Sequence, residues 1–396
     1  MANSQDDAGS FDTSFGTDRN GTVRLELLAG FTRLLKDQTL LTVGNKRKSQ
    51  TEYVVEAVKH HADGYYDKAL AETSINGFNL FAALTVQEDD KYLVLWGLLN
   101  GAHYDAHLTR FTKEGDPDPQ FNPGNNGTVR LDVAVEDDLL GKRGLKVRDN
   151  DGAIYVAFEI HEHDSIIIKI DKDGGTDPLF GGGNGRVYVP DTQLRALAFS
   201  GDDDLLVAGN TRDKAIISRY DNKGSLVTGF GSGGHVELGS ADTGNPLSVF
   251  SIVVDDQHRI TVAGSNAKLR QTHNFVASFT ASGQPDPTFN EGAPVHTTVE
   301  DGSYVSHVVQ HDGKIVVLAR EQATGLTTKL VRYTRAAHKD PAFGNAGVAL
   351  VYTRQDSPLR SYVDTVELQQ PGEKFLVSGP NATYYTFMAR LLNDPE

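Results

Sequence analysis

Short apolar runs of about five residues, separated by polar turns, recur along the whole chain. One stretch shows the pattern in full. Val305 to Val309 is followed by the turn His311-Asp312-Gly313-Lys314, then by Ile315 to Ala319 and by Lys329 to Tyr333. Leu205-Leu206-Val207-Ala208-Gly209 and Arg259-Ile260-Thr261-Val262-Ala263-Gly264 are further middle runs of this kind. Their length and β-branched content suit strands, and no segment sustains a capped helical period. The pattern predicts an all-β chain with several short antiparallel strands per unit.

A turn motif punctuates these units. It reads Asp12-Thr13-Ser14-Phe15-Gly16, Asp118-Pro119-Gln120-Phe121-Asn122, Asp177-Pro178-Leu179-Phe180-Gly181, Asp286-Pro287-Thr288-Phe289-Asn290 and Asp340-Pro341-Ala342-Phe343-Gly344, with a weaker copy at Thr228-Gly229-Phe230-Gly231. The period is about 55 residues, within the range of propeller blades. Phe15 and Phe121 lie two periods apart, so a decayed copy is expected between them, at Asp63 to Leu70, with Leu70 in the Phe position. Seven anchors with four strands each predict a seven-bladed β-propeller. The chain stops after Ala389-Arg390-Leu391-Leu392, where other units proceed to their Phe, and Phe11 to Gly16 supplies the missing half. N-terminal residues are therefore expected to complete the last blade. Residues 1–10 are expected to be a flexible tail and residues 11–396 a single propeller domain.

The anchors have a structural rationale. Pro fixes φ, Asp bonds nearby amides, Gly accepts positive φ and Phe wedges between units. With His311-Asp312-Gly313-Lys314-Ile315 and Val331-Arg332-Tyr333, Asp340 to Gly344 resembles the delta-60 repeat family, bacterial tandem repeats that resemble propeller blades. The resemblance extends over nearly the whole chain from about Phe11. It implies the fold and a large secreted or surface setting, and no catalytic residues.

Composition narrows the partners. A net charge of −15 over 396 residues repels phosphate backbones, so nucleic acid is not an expected partner. No apolar stretch approaches the length of a membrane helix, so no membrane insertion is expected. With no cysteine, thiolate nucleophiles, disulfides and cysteine-ligated zinc are excluded. The start, Met1 to Asp7, lacks a secretory signal pattern. Secretion or surface display by a signal-less route is the favoured location, with the cytoplasm as alternative.

Candidate chemistry is sparse. Asp149-Asn150-Asp151-Gly152 and Asp171-Lys172-Asp173-Gly174 open like calcium loops, but they coincide with repeat turns and lack the distal acidic ligand. Calcium or another divalent metal is thus the one cofactor class to consider. Gly181 to Gly185 lacks the helix and Lys of a phosphate loop. His161 and His163, two apart on a strand, would share a face with Glu159 and are the expected metal ligands. His60-His61 and His103 with His107 are expected to be solvated. Arg195, Ser251, His307, Arg360 and Asp364 precede or enter the presumed innermost strands and form the expected ligand-binding cluster. The favoured function is a non-enzymatic binding propeller for a protein or glycan. The alternative is a propeller hydrolase or lactonase with an axial metal, using His307, Asp364, His161 and His163.

Overall fold

The computed structural model describes residues 7–49, 53–73, 79–135, 143–161, 164–201, 203–239, 247–266, 273–297, 302–320, 327–353, 363–380 and 385–394. The chain is a seven-bladed β-propeller of four-stranded antiparallel blades. Blade 1 comprises Leu28–Leu34, Leu40–Arg47, Tyr53–His60 and Tyr66–Thr73; blade 2 comprises Asn79–Val86, Tyr92–Asn100, His103–Phe111 and Thr128–Val135. Blade 3 comprises Arg143–Val147, Ile154–His161, Asp164–Ile170 and Arg186–Val189; blade 4 comprises Gln193–Phe199, Leu205–Asn210, Ala215–Tyr220 and His235–Leu238. Blade 5 comprises Leu247–Val254, Ile260–Asn266, Asn274–Phe279 and Val295–Thr297; blade 6 comprises Ser303–Val309, Ile315–Arg320, Thr327–Tyr333 and Val348–Thr353. Blade 7 takes Thr365–Gln369, Lys374–Pro380 and Thr386–Leu391 from the C-terminal end and Thr22–Leu25 from the N-terminal end.

Thr22 to Leu25 pairs with Ala389 to Thr386, which completes blade 7 by backbone hydrogen bonds as the sequence predicts. The closure reaches further back than the expected tail boundary at residue 10. Ala8 is buried, Gly9 N–H donates to the Leu392 carbonyl at 2.8 Å, and Gly344 N–H donates to the Ala8 carbonyl at 2.8 Å.

The chain divides into two compact units: 1–74 with 263–278 and 286–396, and 75–262 with 279–285. In the first, Val316, Leu318, Phe343, Val366, Phe375 and Leu391 form one apolar layer between blades 6 and 7. In the second, Leu93, Leu108, Phe121, Ile154 and Val156 form the layer between blades 2 and 3. Tyr155, Phe180, Leu197 and Val207 do the same between blades 3 and 4.

The turn motif works as a blade coupler. In each full copy the Asp carboxylate accepts a backbone N–H two residues on, at 2.8 to 3.1 Å: Ser14 on Asp12, Gln120 on Asp118, Leu179 on Asp177, Thr288 on Asp286 and Ala342 on Asp340. The six Phe side chains are buried. The residue after the Phe then donates its N–H to a turn carbonyl of the next blade: Gly16 to Asp63, Asn122 to Asp173, Gly181 to Lys223 and Gly231 to Ser282, at 2.7 to 2.8 Å. That approach explains the turn glycines, since a Cβ on Gly174 (φ +94) would sit 2.9 Å from the Asn122 nitrogen.

Leu70 does not occupy an anchor. It lies half-buried within the strand Tyr66–Thr73. In blade 1 the turn His61 to Tyr65, closed by His61 N–H to the Tyr65 carbonyl at 2.9 Å, runs straight into the fourth strand. The anchor loop is absent there rather than degenerate.

Candidate functional site

A basic residue sits one position before the end of the third strand in most blades, and its role decides which charges remain for function. Arg110 Nε donates to Asp118 at 2.8 Å, its Nη1 reaches the Lys172 carbonyl of the next blade, and its guanidinium lies 4.6 Å over the Phe121 ring. Arg390 repeats this with Asp12 at 2.7 Å, the Ala62 carbonyl at 2.6 Å and Phe15 at 4.7 Å. Arg332 pairs with Asp340 at 2.9 Å and lies 4.5 Å over Phe343, and Lys169 bridges Asp177 at 2.7 Å and the Asn222 carbonyl at 3.0 Å. In blade 4 the anchor Asp is replaced by Val227, and Arg219 turns to Asp204 at 2.9 Å while keeping the Ala281 carbonyl. Burial alone would raise the Asp12 carboxyl, but hydrogen bonds from Lys374 and Ser14 and the charge of Arg390 outweigh it and hold Asp12 below the usual carboxylate range. These side chains are spent on coupling blades. A spacing of eight residues between the basic residue and the anchor Asp, in Arg110–Asp118, Lys169–Asp177 and Arg332–Asp340, was the sequence signal for them.

The acidic turns belong to the same machinery. Asp151 receives the Arg148 guanidinium, with Nε on Oδ1 at 3.0 Å, and caps Ala153 N–H at 3.0 Å. Asp171 Oδ1 accepts the N–H groups of Asp173 and Gly175 at 2.9 and 2.8 Å. Both are hydrogen-bonded turns. Two polar cavities of about 340 and 540 Å³ share Arg148 and Asp151 in the second unit, the larger also lined by Asp203, Asp204 and Asn222.

The expected cluster of ligand-binding residues resolves as follows. First strands of successive blades pack on one another within each unit, which places them on the axial side. Arg195 is half-buried on the first strand of blade 4, and Ser251 is half-buried on that of blade 5. Asp364 lies beside the start of the first strand of blade 7, where the surrounding protein pushes its carboxyl up while the ion pair with Arg320 opposes the rise. Arg360 lies outside the described residues. His307 lies on the first strand of blade 6 and is buried, 3% exposed. A bulge at Val305, between the pairs Tyr304–Ala319 and Ser306–Leu318, shifts the alternation by one and sends His307 into the blade packing.

The histidine reading also changes. His161 ends a strand, but its side chain and all of His163 lie outside the described residues. Glu159 is buried and accepts a hydrogen bond from Gln193, and a bulge between Glu159 and His161 breaks the alternation that would have put both on one face. Among the described residues no group of three His, Asp or Glu side chains is placed to hold a metal. His60 is buried instead of solvated, its ring 6.0 Å from Tyr66, and His107 is half-buried and stacked 4.5 Å from Trp96. Burial pushes both imidazoles down, His60 to about 4.

Around Arg195 a polar network is fixed in place. Asn210 donates to Gln193 at 3.1 Å, Ser248 donates to Asn210 at 2.7 Å, and Gln193 donates to Glu159. Arg195 donates to Asn210 and Gln193 at 3.2 Å each and lies 5.1 Å over the Phe250 ring. Burial lowers its pKa from the usual guanidinium value, with Glu159 opposing.

No family model and no curated protein matches the sequence. Among solved structures the chain is similar to Drosophila Semaphorin 2a, at 8% identity and a TM-score of 0.58, covering 94% of this chain and 75% of that one. It is also similar to the polysaccharide lyase Uly1, at 10% identity and a TM-score of 0.50, covering 92% and 89%. At these identities the likeness is one of fold. No helix among the described residues is long and apolar enough to cross a membrane.

Proposed function

We propose that this chain is a non-enzymatic binding propeller, secreted or surface-associated, that recognises a glycan or protein through the axial side of its first strands. One observation carries the reading. The charges that recur with the repeat couple blades, whereas Arg195 stands on a first strand, outside that pattern, in an ordered polar network. The acidic, cysteine-free composition and the delta-60-like repeat pattern support the location. A metal hydrolase would need His307 and Asp364 open to an ion and its substrate, whereas His307 is buried and Arg320 engages Asp364. The test is a screen of the full chain on glycan and purified-protein arrays, followed by incubation of each hit and mass analysis. Saturable binding without turnover is expected. Turnover of a hit, or no hit on either array, overturns the proposal.

A further inference from the structure

The Arg195 position differs from its counterparts in the other repeats. It is the extra residue of a bulge, lying between the ladder pairs Leu194–Gly209 and Ala196–Ala208. Ala82 fills the corresponding bulge in blade 2 and Val305 that in blade 6, and Gly30 falls in the wider one of blade 1. The fold therefore closes this bulge with small or apolar residues, and a bulge serves to re-aim one side chain. Nothing in the repeat calls for a guanidinium there.

Its bonding is also unlike that of the buried arginines. Arg110, Arg219 and Arg390 each meet a carboxylate at 2.7 to 2.9 Å. Arg195 has two neutral amide acceptors at 3.2 Å, no carboxylate pairs with it among the described residues, and Glu159 acts on it only through longer-range charge. Nε is held by Asn210 and one Nη2 hydrogen by Gln193, and both amides are themselves fixed by Ser248, by each other and by Glu159. The Nη1–Nη2 edge carries the remaining donors, and Nη1 donates to no described residue. A planar edge of this kind matches a carboxylate bidentately. A dianionic phosphate would be disfavoured by Glu159 and by the net charge of −15.

We propose that Arg195 is the anchor of a binding site for a singly charged carboxylate ligand, whose carbon skeleton lies along Phe250. The proposal rests on the binding reading above and names its ligand chemistry. A ligand-observed NMR titration of the full chain with sodium D-glucuronate, sodium acetate, D-glucose and inorganic phosphate tests it. Saturable binding of glucuronate is expected, with D-glucose and phosphate at least tenfold weaker. Acetate binding as well as glucuronate identifies a simple organic acid, and acetate binding much more weakly identifies an acidic sugar. Arg195→Gln should weaken glucuronate at least tenfold with an unchanged melting temperature, and the exposed Arg130→Gln should leave it unchanged. Glucuronate binding to Arg195→Gln within threefold of the parent, or no binding to the folded parent, overturns the site. If an array ligand is then found that binds Arg195→Gln normally, the binding reading stands without this site; if no array ligand exists, both fall.

Discussion

Replacing an anchor Asp should cost an amount set by what sits eight residues before it. Asp118 and Asp286 hold the same place in the motif and each caps the N–H two residues on. Asp118 is buried and pairs with Arg110, whose side chain is 6% exposed; at the place of Arg110 Asp286 has Ser278, whose hydroxyl it accepts at 3.2 Å, and it also accepts the Thr288 hydroxyl at 2.7 Å. Asp118→Ala removes one cap, worth about 1 kcal/mol, and leaves a buried guanidinium with only the Lys172 carbonyl, a loss of about 3–5 kcal/mol for a broken buried pair. Asp286→Ala removes a cap and the Ser278 and Thr288 hydroxyl hydrogen bonds and strands no cation at position 278, about 2–3 kcal/mol together. Urea unfolding followed by far-ultraviolet circular dichroism measures both. The double variant Arg110→Met/Asp118→Leu should recover most of the Asp118→Ala loss, because no buried charge is then left unpaired. Equal losses for the two single variants would refute the idea that the basic residue and the anchor form one coupler.

Other outcomes follow from the same geometry. Gly174→Ala should cost about 2–4 kcal/mol, from positive φ plus the clash with the Asn122 nitrogen, whereas Gly101→Ala (φ +65, no atom within 4 Å of the added Cβ) should cost about 1 kcal/mol by the same assay. His60 favours its neutral form in the folded state, with a pKa near 4 against the ordinary 6.5, so its contribution is complete above pH 6.5 and is lost as pH falls through that window towards 4. The loss approaches about 3 kcal/mol, and unfolding free energies at pH 7 and 4.5 should converge in His60→Leu. Trp96 is the one tryptophan, stacked on His107, so its emission should be quenched as that imidazole protonates below pH 6.5, and His107→Phe should abolish the titration.

The blade number, the anchors and the N-terminal closure were legible in the sequence because each depends on local turn chemistry repeated at a fixed period. Leu70 misled because an apolar residue fell at the right period where the anchor loop is missing. The burial of His307 was not legible, because one extra residue at Val305 shifts the alternation and bulges leave no reliable mark in an alternating pattern. His60 and His107 were read as solvated although neighbouring strands cover them, a tertiary fact. The place of Arg195 on a first strand was legible from the apolar run that follows it, and its amide partners, Gln193 and Asn210, only the fold could reveal.

The division of arginines between coupling blades and holding a ligand is the central claim, and paired unfolding of Arg390→Ala and Arg195→Ala tests it directly. Arg390→Ala leaves the buried Asp12 carboxylate with Lys374 and Ser14 and removes the bond to the Ala62 carbonyl, and should cost about 2–4 kcal/mol, whereas Arg195→Ala removes two long hydrogen bonds to neutral amides and should cost about 1 kcal/mol or less. Equal losses in the two variants would show Arg195 to be part of the scaffold and would contradict the account.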